Sequence, residues 1–273
     1  MFHFKAHCHH SCQSNQQCCE PNPCLNGGTC IRSCANAKHK FYCTCPHEFV
    51  GRRCHRKRPR SCKEYFLFSG GRLKPGVHHL LDSNNGSIMV YCDFESEKEF
   101  VWTLIESFEF ANNVIFKKKA FYRNVPVNEN THQWQKYRLS NPHMKEIEGH
   151  STHVRATCNF DTEGLKYIDY LRASLTEVDV MNLRIISGFA PCVKFEYINI
   201  RGVGCMDCTC HFTQGDSMHA HVDSAKARWQ CQLKSPGYVL SEDDFGRYNY
   251  YNPTHRCVSS ANSTTQWWLG DRL

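Results

Sequence analysis

Residues 24–54 read CLNGGTCIRSCANAKHKFYCTCPHEFVGRRC. Six of these residues are cysteines, and the only large aliphatic side chains are Leu25, Ile31 and Val50. So short a segment buries too little apolar surface to fold around a hydrophobic core. Disulfides must take over that role, because cross-links stabilise a small fold by restricting its unfolded chain. Since disulfides persist in oxidising compartments, the stretch predicts a secreted or extracellular protein.

The cysteine content of the whole chain points to the same compartment. The 273 residues include 19 cysteines, and the length suffices for one small and one large domain. The alternative, a cytosolic zinc protein, is disfavoured because the cysteines do not form repeated CxxC pairs. An odd number of cysteines leaves at least one thiol that is free or paired with another chain.

The cysteine spacing over residues 19–54 is that of a known small domain. CTCPHEFVGRRC carries the pattern C-x-C-x5-G-x2-C, and CLNGGTC carries an Asn-Gly-Gly turn. On these motifs the segment resembles EGF-like domains over its whole length. The resemblance implies a small antiparallel hairpin and three disulfides, which are Cys19–Cys30, Cys24–Cys43 and Cys45–Cys54.

Two features depart from the calcium-binding members of that family. The residues just ahead of Cys19 read SNQQC and lack carboxylates. Calcium needs several hard oxygen ligands, so we predict no calcium site here. A seventh cysteine, Cys34, lies in a long loop. We expect it to pair with the Cys/His-rich tail at 1–18, for instance with Cys18, or with another chain.

A basic run follows the last EGF-type cysteine. Residues 52–60 read RRCHRKRPR in a chain whose formal net charge is +7. Such a run favours polyanions, including sulfated glycans, acidic matrix proteins and anionic surfaces. The alternative is a solvated linker over 55–60. The candidate polyanion-binding residues are Arg52, Arg53, Arg56, Lys57, Arg58 and Arg60.

The remaining segment, 61–273, opens with a second recognisable pattern. The motifs that resemble the start of fibrinogen C-terminal-like domains are Ser61-Cys62, Pro75-Gly76-Val77, Val90-Tyr91-Cys92-Asp93-Phe94 and Trp102-Thr103-Leu104-Ile105. The resemblance implies a disulfide between Cys62 and Cys92.

After about residue 110 this second resemblance fades. The family carries an Asp-x-Asp calcium loop and a Trp-Trp-Tyr-x-x-Cys segment that builds its ligand pocket. Here no cysteine follows Trp267-Trp268, and the acids Glu242, Asp243 and Asp244 are spaced differently. We therefore carry over neither the calcium site nor the acetyl-group pocket.

Local patterns predict mostly strands. SIMVYCDF, residues 87–94, is β-branched and aromatic and follows an Asn-Asn-Gly turn. VKFEYINIRGVG, residues 193–204, alternates as a strand does, whereas 163–185 has a partial helical period and predicts a helix. The fold class we expect is mostly β, with a small disulfide-stapled EGF-like module followed by a divergent fibrinogen-like α+β domain rich in strands.

One cysteine cluster resembles a metal site. Residues 205–211 read CMDCTCH, which offers three or four zinc ligands only if the turn folds back on itself. In an oxidising compartment we favour disulfides instead. A bond between Cys205 and Cys208 would be strained. The candidate partners are therefore Cys158, Cys192, Cys231 and Cys257.

A second cluster places three ligand-type side chains on one strand face. His219, His221 and Asp223 alternate along the chain, so their side chains point the same way. We favour an exposed polar strand face over a metal site, since a metal needs further ligands. The chain also lacks G-x-S-x-G, HExxH, P-loop and dinucleotide motifs. We predict no enzyme activity, no cofactor and no metal.

Three further features bear on the compartment. The sequons at Asn85 and Asn262 predict N-glycosylation. No apolar run approaches the roughly 20 residues that span a bilayer, so we expect no transmembrane anchor. The first residues lack the apolar stretch of a signal peptide, and we expect the natural N-terminus to extend further.

The domain order resembles that of secreted cnidarian proteins, in particular skeletal organic matrix proteins of stony corals. The matching phrases include EYINIRG, CMDCTC and STTQWWLG. We predict a non-enzymatic, secreted extracellular-matrix protein, a structural or adhesive component of a biomineral. The alternative is a soluble recognition protein, a lectin or receptor ligand. The expected partners are other matrix proteins or polyanionic glycans, with an intermolecular disulfide and without nucleic acid.

Overall fold

The structure is a computed structural model that describes residues 18–33, 41–182, 192–223, 230–239 and 244–273. The chain divides into two compact units. The smaller runs to Pro59 and also includes Ser83–Gly86, and the larger comprises Arg60–Asp82 and Ser87–Leu273. Three expectations fall outside the described residues: those on the tail up to residue 17, on Cys34 and on the acidic pair Glu242 and Asp243.

Two short hairpins and three disulfides build the part of the smaller unit that the structure describes. Its strands are β1 (Thr29–Arg32), β2 (Phe41–Thr44), β3 (Phe49–Val50) and β4 (Arg56–Lys57), paired antiparallel as β1 with β2 and β3 with β4. The bonded sulfur pairs are Cys19–Cys30, Cys24–Cys43 and Cys45–Cys54. Few side chains here are fully buried, so the cross-links supply the rigidity that a core would otherwise supply.

Strands dominate the larger unit, and the prediction of a mostly β fold is confirmed. In chain order they are β5 (Gly76–Leu81), β6 (Ser87–Asp93), β7 (Phe100–Glu109), β8 (Lys136–Arg138), β9 (His153–Cys158), β10 (Tyr170–Ser174), β11 (Cys192–Ile200), β12 (Val203–Gly215), β13 (Met218–Val222) and β14 (Thr264–Arg272). Strand β6 confirms the strand predicted from the β-branched and aromatic residues 87–94. Strand β11 confirms the strand predicted from alternation over 193–204 up to Ile200, and β12 begins at Val203.

All ten strands join one antiparallel sheet within the described residues. Its order is β13-β12-β11-β10-β9-β14-β7-β6-β5. The short strand β8 also pairs with β7, at Glu106–Phe108, further along β7 than the residues that pair with β6. The last strand of the chain, β14, therefore lies in the middle, between β7 and β9. The last strand of the chain is thus paired on both edges with strands that lie far from it in sequence, at the centre of the sheet.

Both faces of β14 are covered by other parts of the unit. Trp267 and Trp268 point to opposite faces, and each indole is fully buried. The Trp267 indole nitrogen donates to the Phe245 carbonyl at 2.7 Å, and that of Trp268 donates to the Thr157 hydroxyl at 3.0 Å. Because each buried indole N–H has an acceptor, burial of the two rings leaves no donor without a hydrogen bond.

A buried arginine lies at the centre of one of these faces. The Arg155 guanidinium carbon lies 4.6 Å from the ring centroid of Trp102 and 4.5 Å from that of Trp268. Its nitrogens donate to the Asp93 carboxylate at 2.6 Å and to the Glu97 carboxylate at 3.0 Å. Burial by itself would raise the pKa of Asp93, but Arg155 and neighbouring hydrogen bonds hold that pKa below its usual value.

The helices are short. They are α1 (Cys62–Phe68), α2 (Asn113–Phe116), α3 (Asn141–Glu148) and α4 (Phe160–Glu163). The α1 helix begins at Ser61, whose hydroxyl accepts from the Glu64 amide at 3.1 Å. A proline in the first turn starts α3, and Met144 and Ile147 face the core one turn apart.

The last residue of α3 carries an unusual carboxyl group. Burial and the neighbouring Asp179 carboxylate raise the pKa of Glu148 from 4.5 to about 7. The folded state therefore binds the proton of Glu148 more tightly than the unfolded state does. The resulting contribution to folding stability is complete below about pH 4.5 and is lost as the pH rises through 7.

Substitution of Glu148 by glutamine should remove this pH dependence. The amide keeps a donor for Asp179 and carries no charge. Solvent screening limits the effect of this half-exposed pair, so we expect the melting temperature at pH 8 to rise by about 2–4 °C, with no change at pH 4.5. Calorimetry at both pH values tests this, with exposed Glu177→Gln as the control. An equal shift at the two pH values would contradict the account.

The helix predicted over residues 163–185 is wrong for the part that the structure describes. The α4 helix ends at Gly164, which has a positive φ of 67°, and strand β10 follows. Leu171 of β10 pairs with Ala156 of β9 on one side and Ile198 of β11 on the other. Pairing on both edges, with burial of Leu171, outweighs a partial helical period.

Four disulfides cross-link the described part of the larger unit. They are Cys62–Cys92, Cys158–Cys257, Cys192–Cys231 and Cys205–Cys208. The Cys158–Cys257 bond spans 99 residues and fixes the segment that leads into β14 to the end of β9. Long loops of this kind gain most from a cross-link in the chain-entropy account.

Candidate interaction surface

The second hairpin of the smaller unit presents the basic run. Phe49 pairs with Lys57, and Val50 pairs with Arg56. The Arg58 amide donates to the Glu48 carbonyl at 2.7 Å and closes the hairpin. The Cys45–Cys54 disulfide ties the turn between the two strands, which contains Cys54, to the segment ahead of β3. The segment predicted as a linker over 55–60 therefore forms a strand in part, and this strand fixes its charged residues in place.

We call residues 52–58 the basic hairpin. Arg52, Arg53, Arg56 and Lys57 are all exposed on it, whereas Arg58 is half-buried and donates from Nε to the His47 carbonyl at 2.9 Å. The structure brings these five candidate residues together on one hairpin. Four of them reach solvent with their charged groups.

The sixth candidate, Arg60, belongs to the larger unit. Its guanidinium lies 3.7 Å from the Glu146 carboxylate. Its backbone amide donates to the Glu64 side chain at 2.8 Å, at the start of α1. These contacts of Arg60 are with α1 and α3 of the larger unit, and we therefore leave Arg60 out of the proposed binding surface.

Few acids balance the charge of the smaller unit. Its described residues contain six arginine or lysine side chains and two glutamates, Glu20 and Glu48, a net charge of +4. His55 adds an exposed imidazole to the basic hairpin. Its ring lies over Gly51, where a Cβ atom would approach the ring to 2.8 Å. His55 is not among the candidate residues predicted from the sequence, although its position inside the basic run was the available signal.

The cysteine cluster at 205–211 is not assembled as a metal site. Cys205 and Cys208 bond to each other, which we had disfavoured. The other four cysteines proposed as their partners pair among themselves. Among the described cysteines, Cys210 alone is in no disulfide, and burial is the main cause that raises the pKa of its thiol. Cys210 is fully buried, so its thiol is inaccessible to another chain in the folded state, and the expected intermolecular disulfide stays a prediction.

The exposed strand face expected for His219, His221 and Asp223 is wrong. All three side chains are buried, because β12 and β13 fold over one face of the sheet. His219 Nε2 hydrogen-bonds the carboxylate of Glu106, which also accepts from Arg138. Burial lowers the pKa of His221 to about 4. His219 therefore belongs to a buried ion cluster.

One group in the described residues has metal-ligand types close together. It comprises Cys158, His255 and Cys257. Its two sulfur atoms are bonded to each other and offer no thiolate. His255 Nδ1 lies 3.0 Å from the Asp169 carboxylate, so the imidazole already has a carboxylate partner. The arrangement is that of a cross-link beside a buried ion pair.

Both sequon asparagines are exposed. Asn85 has a φ of +62° in the turn between β5 and β6, and Asn262 precedes β14. The Asn85 side-chain amide donates to the Glu48 carboxylate at 3.0 Å. Both positions face solvent, and glycosylation stays a prediction. Among the described residues, none of the helices is long and apolar enough to cross a bilayer.

The C-terminal aromatic residues divide between core and surface. Tyr248, Trp267 and Trp268 are buried, as a structural role would require. Tyr250 and Tyr251 are more than half exposed. The Tyr251 ring packs against Phe110 at 4.6 Å between centroids.

Comparisons with known proteins bear on the smaller unit. The family model of the EGF-like domain matches residues 19–53. Two similar proteins of Caenorhabditis elegans are a neurexin-like receptor 1, 36% identical over 77 residues, and a cubilin homolog, 37% identical over 76 residues. These matches cover 27% and 28% of this chain but 6% and 2% of the relatives, so the chain spans a small part of their length.

The comparisons agree with the first resemblance drawn from the sequence. An EGF-like domain, together with the disulfides of both units, fits a secreted or extracellular protein. The fibrinogen-like resemblance and the coral-matrix resemblance stay predictions. Residues 19–53 are an EGF-like domain.

Proposed function

We propose that this protein is a non-enzymatic component of the extracellular matrix that binds polyanionic glycans through the basic hairpin of its EGF-like domain. The observation that carries the proposal is the exposure of Arg52, Arg53, Arg56 and Lys57 on one disulfide-stapled hairpin. A cross-linked backbone presents these charges with little loss of chain entropy on binding. Sulfate groups accept paired hydrogen bonds from guanidinium groups, which favours sulfated glycans.

We further propose that the larger unit is a divergent fibrinogen C-terminal-like domain over residues 61–273. Support comes from the opening motifs of that segment and from the Cys62–Cys92 bond, which ties α1 to β6. The absence of the family's calcium and pocket motifs from the sequence favours a structural or adhesive role over sugar recognition.

The matrix that we propose is the organic matrix of a mineralised skeleton. Support comes from the resemblance to coral skeletal matrix proteins in domain order and in phrases such as EYINIRG. The chain is basic, with a net charge of +7. A basic protein is suited to link acidic glycans and acidic proteins of such a matrix, because opposite charges attract at short range.

Glycan binding is tested by replacing Arg52, Arg53, Arg56 and Lys57 together with glutamine. The probe is heparin, with affinity of the full chain measured at several salt concentrations. Four exposed ion pairs of roughly 0.2–1 kcal/mol each correspond to a loss of affinity between about fourfold and several hundredfold. The salt dependence of binding should also weaken, because fewer bound cations are released.

A matched control removes the same charge elsewhere. Arg72, Lys98, Lys118 and Lys166 are exposed residues of the larger unit. Their combined replacement by glutamine should leave heparin affinity within about twofold of the wild type. Equal losses in the two variants would mean that net charge, and not the basic hairpin, drives binding. Calcium-dependent retention on an acetylated sugar would instead favour a soluble recognition protein.

A further inference from the structure

The Cys205–Cys208 disulfide compresses the strand that contains it. Three residues of a regular strand span roughly 10 Å. The Cα atoms of Cys205 and Cys208 are only 6.1 Å apart within β12. Side chains three residues apart also point to opposite faces of a strand, so this bond requires a local distortion.

Asp207 supplies that distortion. Its φ is +50°, in the left-handed region that residues other than glycine adopt at a cost, which is smaller for aspartate and asparagine than for most side chains. Strand β11 still pairs with both ends of the compressed segment, since Ile198 lies opposite Cys205 and Phe195 lies opposite Cys208. When the bond opens, the segment can extend along β11 and Asp207 can return to an ordinary conformation.

The distorted segment is also accessible. Met206 is 74% exposed, and the Asp207 side chain is 71% exposed. Cys205 is partly exposed, whereas Cys208 is 5% exposed. An incoming thiol can therefore reach Cys205 and not Cys208. Strain and access together mark a disulfide as exchangeable.

We propose that Cys205–Cys208 is an exchange site through which the protein attaches covalently to a partner protein bearing a free thiol. The partner thiolate attacks Sγ of Cys205 and forms a new sulfur–sulfur bond. The Cys205–Cys208 bond breaks, and Cys208 leaves as a thiolate that takes a proton from solvent. One thiol is consumed and one is released, so the step needs no added oxidant.

The first test treats the full folded chain with graded mixtures of reduced and oxidised glutathione, followed by alkylation and peptide mass spectrometry. Cys205 and Cys208 should open at lower reductant than the other described pairs, with glutathione found on Cys205. The Cys192–Cys231 pair is the internal standard, because Cys192 is exposed and the bond spans 39 residues. Opening of Cys192–Cys231 first would overturn the proposal.

A single substitution separates strain from access. Asp207→Gly removes the cost of the positive φ and leaves both cysteines in place. We expect it to require about fivefold more reductant to open the bond. Lys194→Ala removes only the 3.2 Å ion pair to Asp207 and should change nothing. Identical opening of the wild type and Asp207→Gly would overturn the role assigned to strain.

A second measurement identifies the attacked sulfur. Cys208→Ser leaves Cys205 as a partly exposed thiol that should form a mixed disulfide with oxidised glutathione. Cys205→Ser leaves buried Cys208 and should react at least about tenfold more slowly. Equal rates for the two variants would contradict attack at Cys205. Heparin affinity is a separate readout, so failure here leaves the glycan proposal to its own test.

Discussion

Replacement of Arg155 by methionine should lower the free energy of unfolding by about 3–5 kcal/mol. The side chain is fully buried, and its loss leaves the buried Asp93 carboxylate without its guanidinium partner. Glu97 loses one of its two guanidinium partners and keeps Arg172 at 2.9 Å. The flanking rings of Trp102 and Trp268 also lose a cation between them. Chemical denaturation of the full chain measures the change.

A triple variant and a control variant test whether unpaired buried charge or lost packing causes this loss. In the Arg155→Met background, Asp93→Asn and Glu97→Gln remove the buried charges, and we expect about half of the lost stability to return. The exposed ion pair of Arg272 with Glu99, at 3.8 Å, is the control. Arg272→Met should cost less than about 1 kcal/mol. A triple variant as unstable as Arg155→Met would show that packing, and not unpaired charge, causes the loss.

Removal of the Cys158–Cys257 disulfide should cost about 4–5 kcal/mol. The bond spans 99 residues, so its loss releases more unfolded-chain entropy than that of any other described pair. The double variant Cys158→Ala/Cys257→Ala removes both sulfurs and leaves no new thiol. The control, Cys205→Ala/Cys208→Ala, opens a bond of sequence separation 3 and should cost about 2 kcal/mol or less.

Thermal or chemical unfolding of both double variants compares the two bonds directly. The informative result is which double variant loses more stability, because these two disulfides have the longest and the shortest loops among the described pairs. Equal costs would mean that loop entropy does not govern these disulfides. A larger cost for the Cys205–Cys208 pair would also contradict the strain that we assign to it.

Local sequence information was sufficient for the smaller unit. Six cysteines at fixed spacings and an Asn-Gly-Gly turn lie within 36 consecutive residues, and the pattern of an EGF-like domain is read from them alone. The strand β6 was predictable for a similar reason, because β-branched and aromatic residues follow a turn signal.

Features that depend on distant pairing were not predictable in this way. The helix expected from residue 163 fails because Leu171 is paired on both edges by strands that lie elsewhere in the sequence. His219 and His221 were expected on an exposed face, and no local pattern indicates that β13 folds over the sheet. The partner of Cys158 lies 99 residues away, and spacing does not specify a bond of that length.

The candidate surface shows the same division. Composition identified the basic run, whereas the strand pairing of Arg56 with Val50 established that the run is a structured hairpin. Arg60, adjacent in sequence, could be separated from the others only by its contacts with Glu146 and α1. Spatial grouping of charges therefore required the structure.

The matrix role is tested most directly by protein sequencing of mineral from the organism that makes this chain. The mineral is bleached to remove soft tissue and dissolved in mild acid, and peptides are sequenced with disulfides intact. We predict that peptides of this protein are recovered from within the mineral. Recovery from soluble tissue fluid, and none from the bleached mineral, would contradict a matrix role and favour a soluble recognition protein.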